Sequence, residues 1–496
     1  MTQDRLDPDQ QKAIEATDGP VIIAAGPGTG KTRTLAHRVA YLINEKRIPP
    51  DRILAVTFTR SAAAEMSERL QSLLGRMPEG LWVGTYHAVA LRILREHDYP
   101  FGPGVEWSLI REEEKAALLE GLVPRRERSS FLDELRRHKQ RLTWPETGPA
   151  AEYQRRLVAR RQLDFDDLFL YAMRLFNERP EVAAAYRRRF VYVMVDEFQD
   201  TSFAQYHFLK TIASSNVCVI GDPDQAIYGF AGGFHAFEAF KTDFPDHRLV
   251  SLSENYRSQA TIVEAATQVI AKSPAQLPRR LRARLAQGLP IEIARYGSDR
   301  QEAEMIVRKI ETVLGGSSHF TIDSGWAQAD AEARAYGFGD IAILYRLHAQ
   351  ARSLIEALTC AGLPYRCFGK PTLGEDVENF ILEDPGPEGD AISLMTLHRA
   401  KGLEFPVVFL AGCEEGLLPY ERSDDPDEER RLFFVGMTRA KQRLFLSWAA
   451  KRLLYGETRH ADPSPYLSDI QNELRRLEEA PSPQRRTERN AQQNLF

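Results

Sequence analysis

Two short stretches of this 496-residue chain carry residue types spaced for phosphate chemistry. The first is Ala25-Gly26-Pro27-Gly28-Thr29-Gly30-Lys31-Thr32-Arg33, which follows the apolar run Val21-Ile22-Ile23-Ala24. Glycines and small neighbours let backbone N–H groups curl around a phosphate chain, with the positive end of the next helix behind them. Lys31 then reaches the β- and γ-phosphates and Thr32 holds Mg²⁺. The first position of the usual G-x-x-x-x-G-K-[ST] pattern is Ala25, still small enough for the turn. The second stretch is Asp196-Glu197, closing the apolar run Val191-Tyr192-Val193-Met194-Val195. Combined with the loop, it supplies Asp196 for Mg²⁺ and Glu197 to orient or deprotonate an attacking water.

The elements that must hold these residues can be read from apolar periodicity. Val21–Ala24 reads as a buried strand, and Leu35, Val39, Leu42 and Ile43 recur at helical spacing after the loop. Ile53–Thr59 and Leu81–His87 read as two further strands, separated by a helix carrying Ala63, Met66, Leu70 and Leu73. Such βαβ alternation predicts a parallel sheet with helices on both faces. From about Ala90 to Arg189 the text turns helical and basic. Its run of Arg125, Arg126, Arg128, Arg136, Arg137, Lys139 and Arg141 reads either as a solvated face or as a phosphate-binding one. The sheet resumes at Val191–Val195 and at Val217–Ile220, which ends in Gly221-Asp222, and the carboxyl ends of such strands are where open α/β sheets bind ligands.

From about Gln276 a linker leads into a second α/β unit. Its strand candidates are Ile291–Tyr296, Ile341–Tyr345, Ile392–Met395, Val407–Leu410 and Leu444–Leu446. Residues 315–339 read as a surface loop, and the polar, charged end from about Ser482 is expected to lack order.

Composition narrows the class. Hydrophobic residues at 43% and charged residues at 27% suit a globular protein, and a net charge of −5 means that any nucleic-acid surface must be local. Four cysteines, Cys218, Cys360, Cys367 and Cys413, fit no disulfide framework or zinc spacing, so a reducing cytoplasm is expected. No run approaches a membrane span, and no membrane partner is expected.

The succession of motifs resembles superfamily 1A DNA helicases of the UvrD/Rep/PcrA type from Leu6 to Leu467. It comprises Leu6-Asp7-Pro8-Asp9-Gln10, the phosphate loop, Thr57-Phe58-Thr59-Arg60 and Gly84-Thr85-Tyr86-His87. Next come Asp196-Glu197-Phe198-Gln199-Asp200, Gly221-Asp222-Pro223-Asp224-Gln225-Ala226-Ile227-Tyr228 and Glu254-Asn255-Tyr256-Arg257. The last two are Thr396-Leu397-His398-Arg399-Ala400-Lys401-Gly402-Leu403-Glu404-Phe405 and Glu429–Ala440.

The resemblance implies two RecA-like parallel-sheet P-loop NTPase domains with a helical insertion in the first. The first would be 1–89 with 190–275, the insertion 90–189, the second 276–455, and 456–496 a C-terminal extension. It implies an ATP- and Mg²⁺-dependent enzyme moving 3′-to-5′ on single-stranded DNA and unwinding tailed duplex. Gln10 would read the adenine edge, Tyr256 stack on the base and Glu404 meet the ribose. Arg257 and Arg439 would neutralise transition-state charge and Gln225 sense the γ-phosphate. Phe58, His87, Tyr228, Phe230 and His398 would line the single strand.

Two departures stand out. Phe230-Ala231-Gly232-Gly233 replaces the family's Trp-Arg-Gly-Ala, removing an Arg contact. Only 370–390 stand where the family has a long helical insertion in its second motor domain, so that subdomain is missing or vestigial. The resemblance leaves room for a translocase that strips proteins from DNA, or for a helicase-like subunit serving a partner nuclease in antiphage defence of the Gabija type. Finally, Gln492-x-x-Leu495-Phe496 resembles the peptides that replication and repair proteins insert into the sliding clamp.

Overall fold

The structure, a computed structural model, describes residues 6–229, 235–274, 277–278, 281–315, 336–369 and 390–479. Phe230, the segment 370–389, most of 315–339 and the clamp-like Gln492, Leu495 and Phe496 lie outside the described residues. The described residues form two compact units. One runs to Gln287 and includes Asp427–Thr438; the other holds Gly288–Gly369 with 390–426 and 439–479.

The first unit is built on six parallel strands, β1 (Val21–Ala25), β2 (Ile53–Thr57), β3 (Trp82–Thr85), β4 (Tyr192–Val195), β5 (Asn216–Gly221) and β6 (Arg248–Leu252). Their order is β3-β2-β4-β5-β1-β6. Side chains alternate across a strand, so the apolar runs feed two cores. Ile22, Leu54, Val56, Val193 and Val219 join one face with the helices Tyr86–Glu96, Asp167–Glu178 and Phe203–Ile212. Val21, Ile23, Ile53, Met194 and Ile220 join the other with α1 (Pro8–Glu15), α2 (Lys31–Asn44) and α3 (Arg60–Leu74). Two strands end earlier than expected because a threonine turns to cap the next helix. Thr59 Oγ1 accepts the Ala62 N–H at 3.1 Å, and Thr85 Oγ1 accepts the Ala88 N–H at 3.2 Å.

Between β3 and β4 the chain is helical and has a small core of its own around Leu118, Leu135, Tyr153 and Leu157. The basic run does not lie on one surface. Lys139 points inward, buried, with Nζ 2.6 Å from Asp164 and 2.8 Å from Asp167, while Arg125, Arg126, Arg137 and Arg141 are exposed. A lysine can be buried there because two carboxylates meet it.

The second unit is a seven-stranded parallel sheet of β7 (Ile291–Tyr296), β8 (Ile341–Tyr345), β9 (Tyr365–Cys367), β10 (Ile392–Thr396), β11 (Phe405–Leu410), β12 (Ala440–Ala449) and β13 (Arg475–Glu479). The order is β9-β10-β8-β11-β12-β7-β13. One face packs on the helices Asp299–Val313 and Ala351–Cys360. Arg452, buried between Glu302 and Glu414, ties the hairpin of Lys451–Leu454 and Glu457–His460 to this unit.

Candidate active site

In the first unit, parallel strands place the loops after β1, β4 and β5 along one sheet edge. The loop after β1 needs its glycines: Gly28 and Gly30 have φ of +68° and +79°. A Cβ on Gly28 would come within 2.7 Å of both Asn255 Nδ2 and Arg257 Cβ, so the loop can be this close to the 255–257 segment only without a side chain. Thr29 Oγ1 donates to the Gly26 carbonyl at 2.9 Å, closing the turn. Lys31 and Thr32 open α2, with Arg33 half-buried in the same turn.

The acidic pair meets this loop directly. Thr32 Oγ1 donates to Asp196 Oδ2 at 2.7 Å, and Lys31 Nζ lies 3.8 Å from Glu197 Oε1. Burial, and then the charge of Glu197, hold the Asp196 carboxyl above the usual carboxylate range. A hydroxyl and a carboxylate on one edge are hard oxygen donors of the kind that suit Mg²⁺ together with phosphate oxygens. Glu197 has φ of +49°, a left-handed conformation that an L-residue holds only where its surroundings enforce it.

Part of that enforcement comes from Gln199, to which the sequence reading assigned no role. Its Nε2 donates to Glu197 Oε2 at 2.6 Å and its Oε1 accepts the Asp222 N–H at 3.0 Å. Asp222 Oδ2 in turn accepts from Gln225 Nε2 at 2.7 Å. Burial and the neighbouring Asp224 hold Asp222 above its usual range. Glu197, Gln199, Asp222 and Gln225 thus form one hydrogen-bonded chain from the end of β4 to the end of β5.

Asp7 gathers Gln10 and Tyr256, the two residues expected to meet the adenine. Its side chain accepts the Gln10 N–H at 2.8 Å while Gln10 Oε1 accepts the Asp7 N–H at 3.2 Å, a capping box at the start of α1. Gln10 is buried, and its Nε2 donates to the Thr29 carbonyl at 3.0 Å. Tyr256 donates its hydroxyl to Asp7 Oδ2 at 2.8 Å, and at 39% exposure keeps a ring face open for stacking. Asn255 was also missed: its Nδ2 donates to the Pro27 carbonyl at 2.7 Å and its Oδ1 accepts the Arg257 N–H at 3.0 Å. An Asn two residues before a key Arg is an Asx-turn signal that could have revealed it. Arg257 Nη1 donates to the Thr438 carbonyl at 3.3 Å.

Among the aromatic residues, Phe58 and Tyr228 stack with ring centroids 6.1 Å apart and planes 15° from parallel. His87 packs edge-on against Phe165 at 5.7 Å and tilted on Phe169 at 4.7 Å. Burial lowers its pKa to about 4, so the ring is neutral.

The second unit carries the remaining expected residues. Arg439 is buried, and its Nη1 donates to the Leu403 carbonyl at 3.1 Å. Glu404, the expected ribose contact, pairs with Lys441 at 2.7 Å. His398 is half-buried, and burial with Arg346 and Lys401 nearby lowers its pKa to about 3.

The UvrD/REP helicase N-terminal domain family matches residues 6–147 and 137–245, and the UvrD-like helicase C-terminal domain family matches 250–373 and 372–451. The ATP-dependent DNA helicase PcrA of Bacillus subtilis is 29% identical over 652 aligned positions, covering 95% of this chain and 86% of that protein. The protein of the same name from Staphylococcus aureus is 27% identical over 662 positions, with 97% and 88% covered. That from Leuconostoc citreum is 29% identical over 654, with 94% and 84% covered. All three alignments are longer than the chain itself, so each relative holds stretches with no counterpart here.

Proposed function

The chain belongs to the UvrD/Rep helicase family, and from that premise we propose that it is an ATP- and Mg²⁺-dependent motor that moves 3′-to-5′ on single-stranded DNA and unwinds tailed duplex. The observation that carries the reading is the loop after β5. It begins at Asp222, within the hydrogen-bonded chain that starts at Glu197, passes Gln225 and reaches Tyr228 stacked on Phe58. A change in the phosphate state read by Gln225 is therefore three residues of backbone from a ring that can stack on a base.

In this reading Gln10 and Tyr256 hold the adenine, and the backbone from Ala25 to Gly30 with Lys31 cradles the phosphates. Thr32 and Asp196 would hold Mg²⁺, which supplies positive charge at the β- and γ-phosphate oxygens. Glu197, aimed by Gln199, takes the proton of the attacking water. Arg257 and Arg439 neutralise the charge that develops on the transferred phosphoryl group. Phe58, Tyr228 and Phe230, with the neutral rings of His87 and His398, grip the strand without sequence preference.

We assign 1–89 with 190–275 and 276–455 to the two motor domains and 90–189 to the insertion of the first. The C-terminal family match breaks at 372–373, within the 370–390 segment read as the vestige of the second insertion. A role in repair or replication in the cytoplasm would fit a clamp-binding tail through Gln492, Leu495 and Phe496. Titrating the clamp with the tail peptide and its Leu495→Ala/Phe496→Ala version tests that link. The main reading is tested by strand displacement on 3′-tailed and 5′-tailed duplexes. Unwinding of the 3′-tailed substrate alone is expected. No unwinding of either, with streptavidin displaced from single-stranded ends, would replace it by a protein-stripping translocase.

A further inference from the structure

The helix Pro426–Met437 comes from late in the sequence, yet it lies on the first unit and makes a row of polar contacts there. At its start, Asp427 Oδ1 accepts the Ser273 hydroxyl at 2.8 Å, and Glu428 Oε2 accepts the Gly229 N–H at 3.0 Å. One turn on, Arg430 Nη1 donates to the Val269 carbonyl at 3.0 Å and Arg431 Nε to the Ala226 carbonyl at 2.7 Å. Phe434 lines a small cavity with Gly26, Pro27, Asp222 and Asp224, and beyond the helix Thr438 is bound by Arg257. The same rod thus contacts the segment that carries Tyr228, shares a cavity with the phosphate loop and leads through Thr438 into Arg439.

Ala226 and Gly229 bracket Tyr228. Arg431 holds the backbone on one side of the tyrosine and Glu428 holds it on the other, so the helix grips both flanks of the ring's segment. A Cβ on Gly229 would meet Glu428 Oε2, so the carboxylate would have to shift away from the Gly229 N–H. The geometry points to Glu428 and Arg431 as positioning residues that clamp the Tyr228 loop to the helix leading into Arg439, coupling the grip on single-stranded DNA to the nucleotide site. Any shift of the helix that moves Arg439 must then shift or release Tyr228. The inference rests on the strand-gripping reading of Tyr228.

The test compares the full chain with Glu428→Ala, Arg431→Ala, Gly229→Ala and the conservative Glu428→Gln, whose amide oxygen still accepts the Gly229 N–H. ATPase is measured over a range of ATP, with and without oligo(dT), alongside oligo(dT) binding by fluorescence anisotropy. The three disruptive variants should keep basal kcat and KM for ATP within about twofold. They should weaken oligo(dT) binding roughly tenfold, as expected when one base–aromatic stack is misplaced, and lose most of the DNA stimulation, while Glu428→Gln behaves as the unaltered protein. Wild-type binding and stimulation in all three would overturn the clamp. So would loss of basal ATPase together with stimulation, which would make the helix part of the fold or of the hydrolytic site. If the unaltered protein itself is not stimulated by DNA, it is the strand-gripping reading that fails.

Discussion

Lys31 Nζ stands 3.8 Å from Glu197 Oε1, so the cation assigned to the phosphates and the carboxylate assigned to water partly neutralise one another across the site. A triphosphate arriving at Lys31 would compete with Glu197 for that charge. Lys31→Ala should therefore abolish turnover and weaken ATP binding, whereas Glu197→Gln should bind ATP as well as before and hydrolyse almost none, since an amide cannot accept the proton. Equilibrium binding of a fluorescent ATP analogue with single-turnover hydrolysis separates the two. Hydrolysis at the normal rate by Glu197→Gln would remove Glu197 from the role of base.

Arg439→Lys keeps a charge but loses the planar fork, and Arg439→Ala loses both. Turnover should fall by roughly 10³-fold or more in the alanine variant, with a modest change in ATP affinity, as for a group acting mainly in the transition state. Because Arg439 is buried with a bond to Leu403, the lysine variant serves as the check that the fold survives. A drop of only a few-fold would remove Arg439 from that role.

Tyr228→Ala should weaken single-stranded DNA binding by about 1–3 kcal/mol and leave DNA-free ATPase nearly intact. Phe58→Ala should act on the same stack, so the double variant should lose less than the sum of the singles. Anisotropy titrations with oligo(dT) measure both; additive losses would show that the two rings act separately.

His87 and His398 are both held neutral, at about 4 and about 3, mainly by burial. Below an unfolded-state pKa near 6.5 the unfolded chain takes up protons that the folded chain refuses, so stability is full above that pH and falls as pH drops below it. Each histidine can contribute at most about 1.4 kcal/mol per pH unit in that range. Thermal unfolding midpoints between pH 7 and 5.5 should decline less steeply in a His87→Gln/His398→Gln variant. Parallel declines would mean that neither ring resists protonation.

The phosphate loop, the acidic pair and the strands that carry them were legible because each is a contiguous pattern: an apolar run, then a chemistry-bearing turn. Edge elements were not. Arg248–Leu252 was missed because Leu249 faces solvent and polar residues interrupt the run, and β13 reads as charged. Contacts between residues far apart in sequence were also invisible. Lys139 looked like part of a basic surface because its partners Asp164 and Asp167 come much later, and Gln199 showed no function until the end of β5 was seen beside it. The helix Pro426–Met437 was read as part of a motif, but its seat on the Tyr228 loop depends on packing that no local pattern encodes.

The central claim is that strand binding and ATP hydrolysis are one coupled activity. Steady-state ATPase of the purified chain with Mg²⁺, titrated with single-stranded oligo(dT), measures it directly. The account predicts a rise in kcat of about tenfold or more that saturates with DNA and disappears in Tyr228→Ala at the same DNA concentrations. A rate that stays constant across the titration, in a preparation that hydrolyses ATP, would contradict it.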